Sequence, residues 1–284
     1  PHHLTDVVGF LRDFSADAVG FAETNVNWKH PGVFQRVDNM LRLGFGHARL
    51  SPSSSGLSSR TSYQAGGTLT ALLGKWSGRK MDMGQDATGS FSWMRLRGRR
   101  GRRITIVACY RVVQGNGAGL GDSTAFVQQE TVLREQGHHN PNPRQHVLSA
   151  LERFILERHE ASEEIILAMD ANETIDTSKS QLKSLMMTTG LVDAMPMRHK
   201  DPPRTCIKGT RRIDYIFISP TLAPALQGVG HVGIQDAILS DHCGLWIDFN
   251  ARELFKGNTE TLGSIIDAPF TMRQVRKVEQ FIDK

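Results

Sequence analysis

Cysteine is scarce: Cys109, Cys206 and Cys243 are the only three in 284 residues. They are too few for a disulfide framework and too scattered for a CxxC metal site, so a reducing, intracellular setting, nuclear or cytoplasmic and not secreted, is expected. No run of about 18 apolar residues occurs, which leaves no helical membrane span. The opening Pro1-His2-His3-Leu4-Thr5-Asp6 has neither the basic nor the apolar region of a secretory leader. Several enzyme signatures are missing too: there is no Walker loop, no GxGxxG fingerprint, and no serine or cysteine nucleophile motif. No internal repeat is visible.

What is present resembles an ordinary globular chain, with 39% hydrophobic and 22% charged residues. The length allows one large domain or two small ones. The net charge of +5 is uneven: residues 1–142 carry 17 Lys and Arg against 10 Asp and Glu, and the remainder 17 against 19. A basic first half suits a polyanionic partner, and carboxylates in the second half suit metal ligation.

Apolar spacing predicts helices over residues 6–14, 33–43, 123–136, 144–159 and 178–189, the first capped by Thr5 or Asp6. Strands are expected over 18–22, 66–73, 90–96, 104–110, 164–169, 211–219 and 243–250. Gly98-Arg99-Arg100-Gly101 marks a hairpin turn, and the serine-rich stretch 51–62 a low-complexity loop within the domain. Strands alternate with helices but hairpins also occur, so sheets covered by helices are expected in place of an all-parallel doubly wound fold. Residues 1–250 form the expected domain, and 251–284 a helical tail or linker.

Polar residues recur where apolar strands stop. Glu23 follows Val19-Gly20-Phe21-Ala22, Tyr110 and Arg111 follow 104–109, and Asp170 and Asn172 follow 165–169. Asp241 and His242 follow Ala237-Ile238-Leu239-Ser240. Each has a plainer reading alone: a turn, a helix cap, or a half-buried aromatic with a wet hydroxyl. Asp214 resists such a reading, because a carboxylate inside Ile213-Asp214-Tyr215-Ile216 is costly to bury unless something pairs with it. Taken as an ordered set, they suit a hard cation such as Mg²⁺ and an imidazole oriented by a carboxylate, chemistry for attack of water on a phosphate ester.

Residues 4–250 resemble the endonuclease/exonuclease/phosphatase superfamily, which includes the type I deoxyribonucleases and abasic-site endonucleases. Phe21-Ala22-Glu23-Thr24, Tyr110, Asp170-Ala171-Asn172, Arg212-Ile213-Asp214-Tyr215 and Ser240-Asp241-His242 match its motifs in order. Within it, the chain is most similar to the endonuclease domain of non-LTR retrotransposons, through Tyr63-Gln64-Ala65-Gly66-Gly67-Thr68, Tyr110-Arg111-Val112, and Gln128-Gln129 followed by Pro143-Arg144. The resemblance implies an α/β fold of two face-to-face sheets flanked by helices, a four-layer sandwich. The family's first strand and the Asn at its end have no counterpart before Glu23, and Gly244 stands where the family usually has Pro.

The resemblance also implies roles. Glu23, Asp241 and Asp170 would hold Mg²⁺ or Mn²⁺. Asp170 would orient or deprotonate the attacking water, and Asn172 would hydrogen-bond a phosphate oxygen. His242, held by Asp214, would contact the scissile phosphate or activate water, and Tyr110 would stabilise developing charge. The expected activity is nicking of DNA to leave a 3′-hydroxyl, with a covalently linked reverse transcriptase as a partner in a longer polyprotein. A phosphatase of the same superfamily, or a non-catalytic remnant, are the alternatives. Arg99, Arg100, Arg102 and Arg103 either grip phosphates or form a solvated hairpin tip; Arg111, Lys208 and Arg211 are further expected DNA contacts.

Overall fold

In the computed structural model, residues 2–57, 61–114, 124–177, 180–207, 209–232 and 240–257 are described. In chain order the elements are α1 (His2–Asp13), β1 (Ala18–Ala22), α2 (Val33–Phe45), β2 (Ala48–Ser53), β3 (Thr68–Leu73), β4 (Lys80–Gln85), β5 (Phe91–Arg97) and β6 (Arg103–Tyr110). There follow α3 (Ala125–Glu135), α4 (Pro143–Glu160), β7 (Glu163–Asp170), α5 (Gln181–Thr189), β8 (Val192–Asp193), β9 (Asp214–Ile218), β10 (Leu226–Val232), β11 (Gly244–Phe249) and α6 (Ala251–Phe255).

The apolar run of β7 reads as continuous because both its faces are covered. Ile165, Leu167 and Met169 pack with Leu151 and Ile155 of α4 and Leu182 of α5. Ile166 points the other way, into a cluster with Met94, Ile104, Ile216 and Leu72. The large sheet has the order β4-β5-β6-β7-β9-β8, with only the β6–β7 pair parallel among its described pairings. A smaller antiparallel sheet, β1-β3-β2, lies across it, and Val8, Leu11 and Leu41 of α1 and α2 cover the far face at Leu50, Leu69 and Leu73. The two-stranded β10-β11 sheet adds Leu226 and Val229 to the core between the sheets. This is the expected sandwich: helices, sheet, sheet, helices. At Gly20 a Cβ would sit 3.1 Å from that of Ala108 and 3.7 Å from that of Ala168, so the sheets touch there with no room for a side chain.

Some expectations change. Helix α1 begins at His2, so Thr5 and Asp6 lie inside it and do not cap it. Residues 51–53 of the expected loop close β2, where Ser51 Oγ donates to the Gly84 carbonyl at 3.0 Å and Ser53 is buried. Strands β4 and β10 lie where no strand is expected. The expected strand before Ser240 lies outside the described residues. Of the expected tail, residues 251–257 pack on the core: Phe255 is buried, its ring stacks on Trp76 with centroids 5.4 Å apart, and the Arg79 guanidinium lies 4.0 Å over it. Residues 258–284 lie outside the described residues.

Candidate active site

Because β6 and β7 run parallel, their last residues finish together: Tyr110 is in register with Asp170. Strand β9 runs antiparallel and begins where β7 ends, which sets Asp214 opposite Asp170. Three polar side chains, more than 40 residues apart at each step in sequence, thus stand abreast at one rim. Asp214 is fixed locally, since Thr205 Oγ1 accepts from the N–H of Ile213 at 3.0 Å and of Asp214 at 3.1 Å. His242 arrives from the segment before β11, tied by an antiparallel bridge to Cys206. Its Nδ1 lies 3.0 and 3.1 Å from the two Asp214 carboxylate oxygens.

Glu23 reaches the rim from the end of β1, with its backbone in the left-handed region at φ 51°. Such a φ is unfavourable for a side-chain-bearing residue and persists only with outside support. Here the support comes from the facing loop: Thr24 N–H donates to the Gly67 carbonyl at 3.1 Å and Asn25 N–H to the Gly66 carbonyl at 2.8 Å. The Glu23 carboxylate lies close enough for its charge to act on the Tyr110 hydroxyl. Burial, then the charges of Glu23 and Asp170, push that phenol above its ordinary value, so Tyr110 stays a hydrogen-bond donor.

Electrostatics separates an acid from a base. The hydrogen bond that His242 donates to the Asp214 carboxylate raises its imidazole to about 9 against the pull of burial. Burial, with the neighbouring Asp214 charge, raises Asp170 to about 7. Between those values an imidazolium faces a carboxylate, an arrangement suited to acid–base work. Asn172 completes the turn after β7, its N–H on Asp170 Oδ1 at 3.1 Å and its Nδ2 on the Arg111 carbonyl at 2.9 Å. One of its two amide hydrogens is therefore committed to the backbone.

Of the expected metal set, Asp170 and Glu23 share this rim, while Asp241 is exposed beside His242. The tightest group of candidate ligands among the described residues is Asp170, Asp214 and His242, with one ligand atom of each within 4.8 Å of the others. Crowded carboxylate oxygens, with Asp170 raised by burial and then by the Asp214 charge, are a donor set that a hard divalent cation fits and relieves.

The expected DNA contacts divide. Arg111 is 1% exposed, and all three guanidinium nitrogens bind groups of this chain, so it does not reach a ligand at the surface. Arg102 donates to the Leu254 carbonyl and pairs with Glu164; Arg103 donates to the Ala161 carbonyl near Glu163. Arg99 and Arg100 are exposed, on a turn at the opposite end of β6 from Tyr110, about 23 Å away at a strand's rise per residue. Arg211 is exposed on the loop that leads into Asp214. Lys208 lies outside the described residues. Arg144, Glu173 and Thr205 belong to the site and have no role in the expected set; Pro143-Arg144 and the carboxylate directly after Asn172 were the only sequence signals for the first two.

Neither a family model nor a curated protein matches this sequence. Solved structures do. The AP endonuclease LMAP of Leishmania major superposes over 86% of this chain and 83% of its own with a TM-score of 0.60 at 15% identity. An endonuclease/exonuclease/phosphatase family protein of Leptotrichia buccalis does so over 88% and 93%, TM-score 0.53, 14% identity. The chain has the endonuclease/exonuclease/phosphatase fold. The endonuclease domain of TRAS1, a telomere-specific non-LTR retrotransposon, shares this fold over 89% and 94%, with TM-score 0.53 and 14% identity. Within that fold the rim holding Asp170, Asp214 and His242 is one end of the packed sheets, bordered by the turns after β1, β6 and β7.

Proposed function

We propose that this protein is a divalent-metal-dependent phosphodiester hydrolase that nicks DNA and leaves a 3′-hydroxyl, as an endonuclease of the non-LTR retrotransposon kind. The observation that carries the reading is Asp170 lying abreast of an Asp214 whose carboxylate holds the His242 ring by Nδ1. Asp170, raised to about 7, takes a proton from the attacking water. As that water's oxygen bonds to phosphorus, the bond from phosphorus to the 3′ oxygen breaks, and the leaving oxygen takes a proton from solvent, giving a 3′-hydroxyl and a 5′-phosphate. The His242 imidazolium donates to a phosphate oxygen, oriented by Asp214. Tyr110 and the remaining Asn172 amide hydrogen donate to the oxygens on which charge gathers. Glu23, Asp170 and Asp241 would hold Mg²⁺ or Mn²⁺, which would supply Lewis-acid polarisation of the phosphate. Exposed Arg204 and Arg211 border the Cys206–His242 bridge and suit a DNA backbone.

Relaxation of supercoiled plasmid in Mg²⁺ is the test. His242→Ala is expected to slow nicking by at least about 100-fold while the protein still folds cooperatively near neutral pH. Equal rates for parent and variant would remove the catalytic assignment.

A further inference from the structure

Buried Arg111 and Arg144 form one unit with half-buried Glu173 behind the site, and hydrolysis as described above gives it no task. Arg111 is 1% exposed and Arg144 7%. The Arg111 backbone joins the site directly: its N–H donates to the Asp170 carbonyl at 2.9 Å, and its carbonyl accepts Asn172 Nδ2. Its guanidinium donates from Nε to the Arg144 carbonyl at 3.1 Å, from Nη2 to Gln181 Oε1 at 2.5 Å, and from Nη1 to the Glu173 carboxylate. Arg144 in turn donates from Nη1 to the Val112 carbonyl and from Nη2 to the Asn172 carbonyl at 3.2 Å. Asn172 is thus held at both ends, side chain and carbonyl, in a left-handed backbone with φ 45°.

Two guanidiniums share one carboxylate here, since Arg144 also lies 3.7 Å from Glu173. Burying unbalanced positive charge is a poor way to fill a core, where an apolar side chain of similar volume does as well or better. The arrangement makes sense if the forked hydrogen bonds are needed, because only a guanidinium supplies several fixed donors to two carbonyls at once. Burial and the neighbouring Arg111 charge lower Arg144 to about 10, still fully charged at neutral pH.

We propose that Arg111 and Arg144 are positioning residues, a clamp that fixes Asn172 and the Asp170 turn against the reacting phosphate, and that neither touches DNA. The proposal deepens the phosphodiesterase reading and rests on it for its kinetic arm. In the full chain, Arg144→Lys keeps the charge but cannot serve both carbonyls. It is expected to lower kcat for plasmid nicking by about 10- to 100-fold with KM for DNA unchanged, because a small misplacement of a reacting-site group carries a loss of that size. In an Asn172→Ala background the same change is expected to do little further harm, since the two act as one unit. A loss expressed in KM, or losses that multiply in the double variant, would overturn the clamp.

Gln181→Ala removes one exposed support of Arg111 and tests the same point if Arg144→Lys fails to fold: kcat falls and KM stays, or the proposal is wrong. Hydrogen exchange of the Asn172 side-chain amide is read independently of activity. Slow exchange in the parent and fast exchange in Arg144→Lys supports the clamp, and equal exchange overturns it. A parent that never nicks DNA defeats the phosphodiesterase reading alone, and the exchange measurement still decides the clamp.

Discussion

Asp214 sets the protonation of two groups in opposite roles. Its hydrogen bond keeps His242 charged up to about 9, and its charge helps keep Asp170 protonated up to about 7. The nicking rate in the proposed reaction should therefore follow a bell, rising near pH 7 as Asp170 ionises and falling near 9 as His242 loses its proton. Both midpoints belong to the coupled group and not to single residues. A bound cation shifts the rising limb below 7, and Asp214→Asn pulls the falling limb back toward the ordinary 6.5. A profile flat across that range would exclude the acid–base pairing. The same shifts act on folding: a group that binds its proton more tightly when folded stabilises the fold at low pH. The Asp170 contribution is complete below 3.8 and lost as pH rises through about 7, and that of His242 is complete below 6.5 and lost through about 9. In chelator, melting temperature should fall between pH 6.5 and 9, and His242→Ala should flatten the upper part. With His242 partly exposed, the loss is about 1 kcal/mol after screening.

Residues such as Glu23 and Asp170 were legible because a polar group ending an apolar strand is conspicuous. Arg111 was misread for the opposite reason. An arginine next to a candidate-site tyrosine looks like a phosphate ligand, and its burial depends on Glu173 and Gln181, more than 60 residues later in the chain.

At the level of elements, the interior strands β6, β7 and β9 declare themselves, since a strand covered on both faces must be apolar at nearly every position. Strands β2, β4 and β10 do not. Serine and threonine line part of the gap between the sheets, where Thr68 and Thr70 bond Ser92 at 3.1 and 3.0 Å, so a low-hydropathy stretch can still be core. The loop that supports Glu23 turns on Gly67 at φ 82°, where a Cβ would also lie 2.7 Å from the Ser53 carbonyl. Gly67→Ala should lower stability by about 1–3 kcal/mol in a denaturant titration, through strain and backbone collision together. Helix α6 is short, yet it closes the end of the sandwich through Phe255. Phe255→Ala is expected to destabilise by about 3–5 kcal/mol, a value an appended linker would not give. A change within 0.5 kcal/mol, the ordinary range of a surface substitution, would return this segment to the tail.

For the whole molecule, the distribution of positive charge decides which face meets DNA. The basic first half owes much of its excess to the arginines of 95–103, but Arg95, Arg102 and Arg103 are spent on Glu163 and Glu164 inside the fold. Exposed Arg97, Arg99 and Arg100 remain, at the far end of the sheets, where a duplex gripping them would hold its backbone about 23 Å from Asp170. Exposed Arg204 and Arg211 are fewer but border the site. Each phosphate contact releases counterions, so its removal lowers the dependence of log K on log salt by about one. Arg211→Ala should lower that slope and raise KM for plasmid, and Arg204→Ala should add to it. Arg99→Ala with Arg100→Ala should leave slope and KM within error, although it removes twice the charge of either single change. The reverse ranking would place DNA across the hairpin end, and the carboxylate rim would then need a substrate other than a long duplex.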